Sequence, residues 1–351
     1  MTDTPSPDLL DAYLEEQRAA LHIPGIAAAV VSEGETVYLG TVGLASVEFE
    51  APVTPETPFQ LASVSKIFTA LTVHALVAEG RVDLDQSLLR RIDGAAGVFP
   101  EAWDTVTVRH ALSHTSGMPS YTEADGYWAT TRQEISKHQL LDLVRDEPLR
   151  WTPGDYGSYD NTGYYLLGYL IEAATGQDFD TAVAARITGP LGMTSSMPHD
   201  PEAVVPGSAL GYRWDGATLS QPPYYSPTGT WAAGSLTASI EDMARLGQAM
   251  QGSGALPPAF FEAMWTPHPS RQGNGLEVLG FEACLGMFHL ADPAYELRGH
   301  NGSIVGFATN VTHFAGQAVT VVVLANLGEV ERPDAIARAL ADHFLPPSAA
   351  S

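Results

Sequence analysis

Ser63 and Lys66, in the run QLASVSKIF, are the first residues whose types and spacing could do chemistry. The chain holds only two lysines, and this one stands three positions after a serine at the head of an apolar run. On a helix, residues i and i+3 share a face, so the two side chains lie side by side. A serine hydroxyl is a weak nucleophile near neutral pH and must lose its proton as it attacks. An amine one turn away can take that proton or hold a second base in place. A helix N-terminus adds partial positive charge and free N–H groups where negative charge develops. A lysine at a helix start is more often a solvated charge, but the apolar flanks here weaken that reading.

Two further groups extend the constellation. Tyr159-Asp160-Asn161 is the only Tyr-x-Asn and opens the helical pattern GYYLLGYLIEAATG. A phenolate, or a tyrosine paired with lysine, can act as base to serine and later as acid to the leaving group. The Asn161 amide can bond both the lysine and a substrate carbonyl. His300-Asn301-Gly302 is the only His-x-Gly and falls on an expected strand. Gly302 lets a substrate approach the strand backbone closely. The next N–H, that of Ser303, can pair with that of Ser63 as an oxyanion hole, each donor worth about 3–4 kcal/mol of barrier.

These motifs, in this order, resemble those of the penicillin-recognising serine hydrolases. More narrowly they are similar to the group of class C β-lactamases, D-Ala-D-Ala carboxypeptidases, D-aminopeptidases and related esterases. VTVRHALSHTSGMPS, WTPGDYGSYDNTGYYLLGYLIEAATG, AAGSLTASIEDMARLGQAM and GHNGSIVGF also resemble family blocks, and the likeness spans roughly residues 20 to 330. It implies Ser63 as acylated nucleophile, Lys66 and Tyr159 as acid/base pair, and Asn161 and the His300 strand (Asn301, Gly302, Ser303) as substrate clamps. Asp160 departs from the family, where a small residue is common; a carboxylate there either faces solvent or disfavours anionic substrates. His300 stands where class C β-lactamases carry lysine. With an unperturbed pKa near ~6.5 it is only partly charged at neutral pH, so affinity for a carboxylate should fall as pH rises. That discounts efficient β-lactamase activity. Arg298, two residues earlier on the same strand face, is a candidate replacement cation, although a surface role suits it better. For Trp231, Tyr224 and Tyr225, an aromatic rim around the acyl pocket and ordinary packing fit equally.

The elements that must position these residues can also be read. Residues 7–22 form an amphipathic helix pattern with Leu9, Leu10, Tyr13 and Leu14 on one side. IAAAVV and TVYLGTV form a hairpin. VSKIFTALTVHALVAEG is apolar almost all round, the mark of a helix buried mid-domain. Residues 81–235 read as short helices between Gly/Pro/Tyr-rich loops. YELRGHNG, SIVGFATNVTHF and AVTVVVLAN then read as strands, with a turn at Ala315-Gly316 and a final helix at about 332–345. Together with the resemblance this gives an α/β (α+β) fold of the β-lactamase/transpeptidase type. Its antiparallel sheet is built from both termini (1–80 and 236–351) and flanked by helices, with a mostly helical region (81–235) inserted and the active site between.

Composition bounds the rest. The formal net charge of −24 disfavours nucleic acid and anionic membranes as partners. No segment reaches the ~18 apolar residues of a membrane span. The polar N-terminus lacks a signal-peptide core, so a cytoplasmic location is expected. Cys284 is the single cysteine and reads as a small buried apolar residue. No metal or cofactor is expected: His110 and His114 have a zinc-helix spacing but alanine where a metalloprotease has glutamate, Asp83-Leu-Asp85 lacks the rest of a calcium loop, and phosphate-loop and dinucleotide fingerprints are absent. The expected function is a serine hydrolase acting through an acyl-enzyme on a small ester or D-amino-acid amide. Alternatives are a D-Ala-D-Ala carboxypeptidase or weak β-lactamase, or a binding module that keeps the fold without turnover.

Overall fold

Two apolar segments from opposite ends of the chain lie side by side in one sheet. Gly25–Ser32 pairs antiparallel with Val319–Ala325, in a register running from Ile26 opposite Ala325 to Ser32 opposite Val319. The structure, a computed structural model, describes residues 5–346 except 96, 199, 201, 273–274, 277–280, 291, 329 and 331–332. Across the eight-stranded antiparallel sheet the order is Ala51–Pro52, Glu35–Ser46, Gly25–Ser32, Val319–Ala325, Phe307–Phe314, Leu297–Ile304, Phe288–Leu290, Phe281–Ala283. The central strands are apolar at successive positions because both faces are covered. Leu10, Leu14, Ile336 and Leu340 of the terminal helices Pro7–Ala20 and Pro333–Asp342 pack on one face. The other face shares a core with the helices Ser65–Ala78, Asn161–Thr175 and Ile240–Met250. Asn326, fully buried, ties the two ends together: its Oδ1 accepts from Gly25 N–H at 2.7 Å and its Nδ2 donates to the Leu44 carbonyl at 3.0 Å.

The sheet built from both ends and flanked by helices is the expected one, with local differences. In the first helix Leu10 and Leu14 are buried while Leu9 is 52% exposed, so the apolar side is narrower than its pattern. The strand expected to begin at Ser303 does not: Leu297–Ile304 continues through the His-Asn-Gly motif, and the chain reverses at Val305-Gly306, where Gly306 takes a left-handed φ of 92°. Phe281–Ala283 and Phe288–Leu290 carry too few residues for an alternating signal. Position 332, the expected start of the last helix, lies outside the described residues.

Candidate active site

Ser63 sits on a tight turn, Ala62–Val64, that feeds the helix Ser65–Ala78. Ala62 has φ 50°, a left-handed conformation that a residue with a Cβ enters at a cost of about 1–2 kcal/mol. Neighbours hold it there. Leu61 N–H donates to the Leu236 carbonyl at 2.8 Å, and the Thr309 hydroxyl donates to the Leu61 carbonyl at 2.7 Å. Gly302 presses on the same carbonyl: a Cβ built there would lie 2.3 Å from Leu61 O and 2.2 Å from Thr309 Oγ1. The first demand on Gly302 is therefore the close seating of its strand against the nucleophile's turn, ahead of any substrate approach.

Lys66 stands in the first turn of the buried helix and is itself 0% exposed. Its Nζ lies 3.2 Å from Ser63 Oγ, 2.8 Å from Asn161 Oδ1 and 2.6 Å from the Ala233 carbonyl oxygen. The last two atoms can only accept. A neutral amine spends its two hydrogens on them, so its lone pair faces the third neighbour, the Ser63 hydroxyl. Burial lowers the Lys66 pKa to about 7, with Asp160 pulling weakly the other way. The amine is thus available as a base near neutral pH. Asn161 is fixed as acceptor because its Nδ2 donates to Thr122 Oγ1 at 3.2 Å.

The second motif is held by the loop that contains Ser116 and Ser120. Asp160 is buried, contrary to the solvent-facing reading. Its Oδ1 accepts from Gly163 N–H at 2.6 Å, capping the helix Asn161–Thr175, and its Oδ2 accepts from Ser116 at 2.9 Å. Burial raises its pKa to about 6 against those bonds. Ser120 Oγ accepts from Asn161 N–H at 3.1 Å. His114 accepts the Asp160 N–H at 3.2 Å and stacks on the Tyr159 ring with centroids 4.5 Å apart, so it supports the motif. His110 caps its own short helix with Thr107. Among the described residues no cluster of His, Cys, Asp or Glu could hold a metal ion. Tyr159 lies beside Lys66, whose Nζ is 5.0 Å from the ring centre. Its hydroxyl is buried and near enough to Ser63 to be influenced by it, yet forms no hydrogen bond of ordinary geometry among the described residues. Burial raises its pKa above the ordinary tyrosine range, so it is a phenol and a proton donor.

His300 changes character. Its Nδ1 lies 2.7 Å from the Asn301 carbonyl, which can only accept, so that nitrogen carries the proton. The buried Nε2 is left as a bare acceptor without a partner among the described residues. Burial and nearby Lys66 lower its pKa to about 3. The partly charged clamp expected from an unperturbed histidine is therefore a neutral acceptor, which repels a carboxylate. Arg298 does not replace it: the guanidinium pairs with Glu296 and lies 4.7 Å over the Trp265 ring. Asn301 turns to Asn310, whose Nδ2 donates to its Oδ1. The partner strand Phe288–Leu290 pairs only as far as Gly299, leaving the Ser303 segment on an open edge. Trp231 is not at a rim; it packs at 5.1 Å from Tyr165 and 5.0 Å from Tyr169 and leads into Ala233, whose carbonyl receives Lys66. Tyr225 bonds Tyr127 hydroxyl to hydroxyl, and Tyr224 is 45% exposed. Sequence reasoning missed Ala233 and Thr309, the first because it acts through its backbone.

A family model described as Beta-lactamase matches residues 10–344. The chain belongs to the beta-lactamase family. Penicillin-binding protein 4* of Bacillus subtilis is 27% identical over 333 residues, covering 89% of this chain and 70% of that protein. Penicillin-binding protein 4 of Amycolatopsis lactamdurans is 34% identical over 197 residues, and the match spans only half of that protein's length (50%) and 55% of this chain. Among solved structures, the octameric penicillin-binding protein homologue from Pyrococcus abyssi superposes with a TM-score of 0.80 at 27% identity, covering 95% of this chain and 76% of that one. A D-stereospecific amidohydrolase from Streptomyces sp. shares the fold, with a TM-score of 0.79 at 24% identity over 97% of this chain and 99% of that one. The beta-lactamase family fold thus accounts for the sheet and for the meeting of the three motifs, as expected of a penicillin-recognising serine hydrolase. No helix among the described residues is long and apolar enough to cross a membrane.

Proposed function

We propose that this protein hydrolyses a small ester or D-amino-acid amide through an acyl-enzyme on Ser63. The observation that carries the reading is the triple environment of Lys66: two pure acceptors and one hydroxyl around an amine with a pKa near 7. Ser63 gives its proton to neutral Lys66 and its Oγ bonds to the carbonyl carbon. The N–H groups of Ser63 and Ser303 hold the oxyanion. As the tetrahedral intermediate collapses, the bond to the leaving group breaks and Tyr159 protonates it. Lys66 ammonium then returns the proton to the phenolate. Water, deprotonated by the same amine, releases the acyl group and restores Ser63. The neutral His300 acceptor suits a substrate N–H better than a carboxylate, which supports an amide or ester and weighs against the carboxypeptidase alternative. Within the family a class C-like assignment rests on the same three motifs.

The test is turnover of p-nitrophenyl acetate and butyrate, nitrocefin and D-Ala-p-nitroanilide by the wild type and by Ser63→Ala. Ester or anilide turnover abolished in the variant is the expected result. Turnover that survives in Ser63→Ala removes the nucleophile. A binding module without turnover would show no substrate turnover and no mass adduct with a fluorophosphonate or a β-lactam.

A further inference from the structure

Resting on that reading, an anionic substrate needs a cation that neither His300 nor Arg298 offers. A cleft of about 460 Å³ begins at Ser303, follows the strand's end to Gly306 and Gly328, and is walled by Trp128, Arg132 and Arg213. Among the described residues no aspartate or glutamate lines it. The chain has 41 acidic against 17 basic residues, and its arginines are nearly all taken. Among the described residues only Arg91, Arg132 and Arg213 lack a carboxylate at ion-pair distance, and Arg91 donates to the Arg81 carbonyl. An exposed arginine is ordinarily a solvated charge. Here two of the three unpaired ones come from separate elements, after the helix Tyr127–Thr130 and in the strand Arg213–Trp214, and meet beside the strand that carries Ser303. The approach is built in: a Cβ on Gly306 would lie 2.8 Å from Gly211 Cα, so the segment leading to Arg213 rests directly on the strand's turn.

Direction along the strand assigns the cleft to one half of the substrate. Tyr159, the proton donor to the leaving group, packs against His300 with ring centroids 6.2 Å apart, on one side of Ser303. The cleft extends the other way, toward Gly306, so it faces the acyl half. A guanidinium binds a carboxylate through two parallel N–H donors. Trp128, 57% exposed, offers an apolar wall for the connecting carbons. We infer that this cleft is a carboxylate subsite for the acyl half, so that preferred substrates are esters or amides of dicarboxylic acids or of acyl groups ending in an anion.

The experiment compares p-nitrophenyl hydrogen adipate with its methyl ester, which differ only in the charge at the far end. The ratio of their kcat/KM values is measured for the wild type, Arg132→Gln, Arg213→Gln and the double variant. The expected ratio in the wild type exceeds that in the double variant at least tenfold, with the single variants between and the wild-type ratio shrinking in added KCl. A ratio that changes less than twofold in the double variant overturns the subsite. If the wild type turns over neither ester, the acyl-enzyme reading fails instead, and equilibrium binding of monomethyl adipate against dimethyl adipate decides the subsite. Preference for the monoacid that is lost in the double variant supports it, and no preference overturns it.

Discussion

At the scale of single residues, Lys66 makes the most direct demand on experiment. Its ammonium form has no lone pair for the Ser63 proton, so only the neutral fraction reacts. With the pKa lowered to about 7, kcat/KM for p-nitrophenyl acetate should rise through pH 7 and level off above it. Tyr159, held above the ordinary tyrosine range, stays protonated, so the plateau should extend past pH 9. A flat profile between pH 5.5 and 9 would show that the amine is not the base. Tyr159→Phe should lower turnover of D-Ala-p-nitroanilide about 10²–10⁴-fold by removing the acid its nitrogen needs, and slow p-nitrophenyl acetate far less, because p-nitrophenolate leaves without a proton. His300 gives a contrasting expectation. A group neutral down to about pH 3 cannot impose a titration on binding between pH 5 and 8. Plotted over that range, KM for p-nitrophenyl hydrogen adipate should show no inflection that His300→Gln removes; such an inflection would restore a charged clamp.

At the scale of elements, the geometry depends on a strand and a turn pressed together. Gly302→Ala must relieve contacts of 2.3 Å to the Leu61 carbonyl and 2.2 Å to the Thr309 hydroxyl together, a shift of about 1 Å, since ordinary carbon contacts are ~3.5 Å. A shift of about 1 Å at a catalytic group costs roughly 10²-fold in rate. The expected result is at least that loss in the rate of fluorophosphonate labelling. Gly316→Ala, where an added Cβ meets nothing within 4 Å, serves as the control. Labelling of Gly302→Ala within twofold of wild type would refute the contact argument. The same elements show what a sequence can reveal. That Ser63, Lys66, Tyr159, Asn161 and His300 lie together is legible because side-chain type and spacing mark them, and the apolar run after Ser63 announces a buried helix. Ala233 and the Leu61 carbonyl act through backbone atoms, which no residue type marks. The charge of His300 was misread because burial, not residue type, sets it. Of the two readings open for Asp160, the solvent-facing one fails because its partners, Gly163 and Ser116, come from a local cap and from a loop 44 residues away. The turn at Val305-Gly306 was displaced because Asn301-Gly302 is the stronger local turn signal, and pairing with Phe307–Phe314 overrides it.

At the scale of the whole molecule, two effects of acid oppose each other. The net charge of −24 repels itself at neutral pH, and lowering pH toward the isoelectric point near 4.6 relieves that repulsion. Against it stand histidines folded in the neutral form: burial lowers His300 to about 3 and His313 to about 4, and it lowers His74 and His114 too. The sign follows from linkage. Between the folded and unfolded pKa values the unfolded chain binds more protons, so stability falls as pH drops below about 6.5. At pH 5 that amounts to about 2 kcal/mol each for His300 and His313. Surface repulsion is screened beyond about 8 Å at physiological salt, so its relief is spread thinly over exposed carboxylates. The buried histidines should win even against Asp160 and Asp180, whose carboxyls burial raises to about 6 so that acid stabilises them in the fold. The melting temperature is therefore expected to fall by several degrees from pH 7 to pH 5 at 0.15 M salt, well above the range where most carboxylates protonate. A melting temperature that holds or rises over that interval would mean that charge relief dominates, and that these imidazoles reach water in the folded protein more readily than their packing implies.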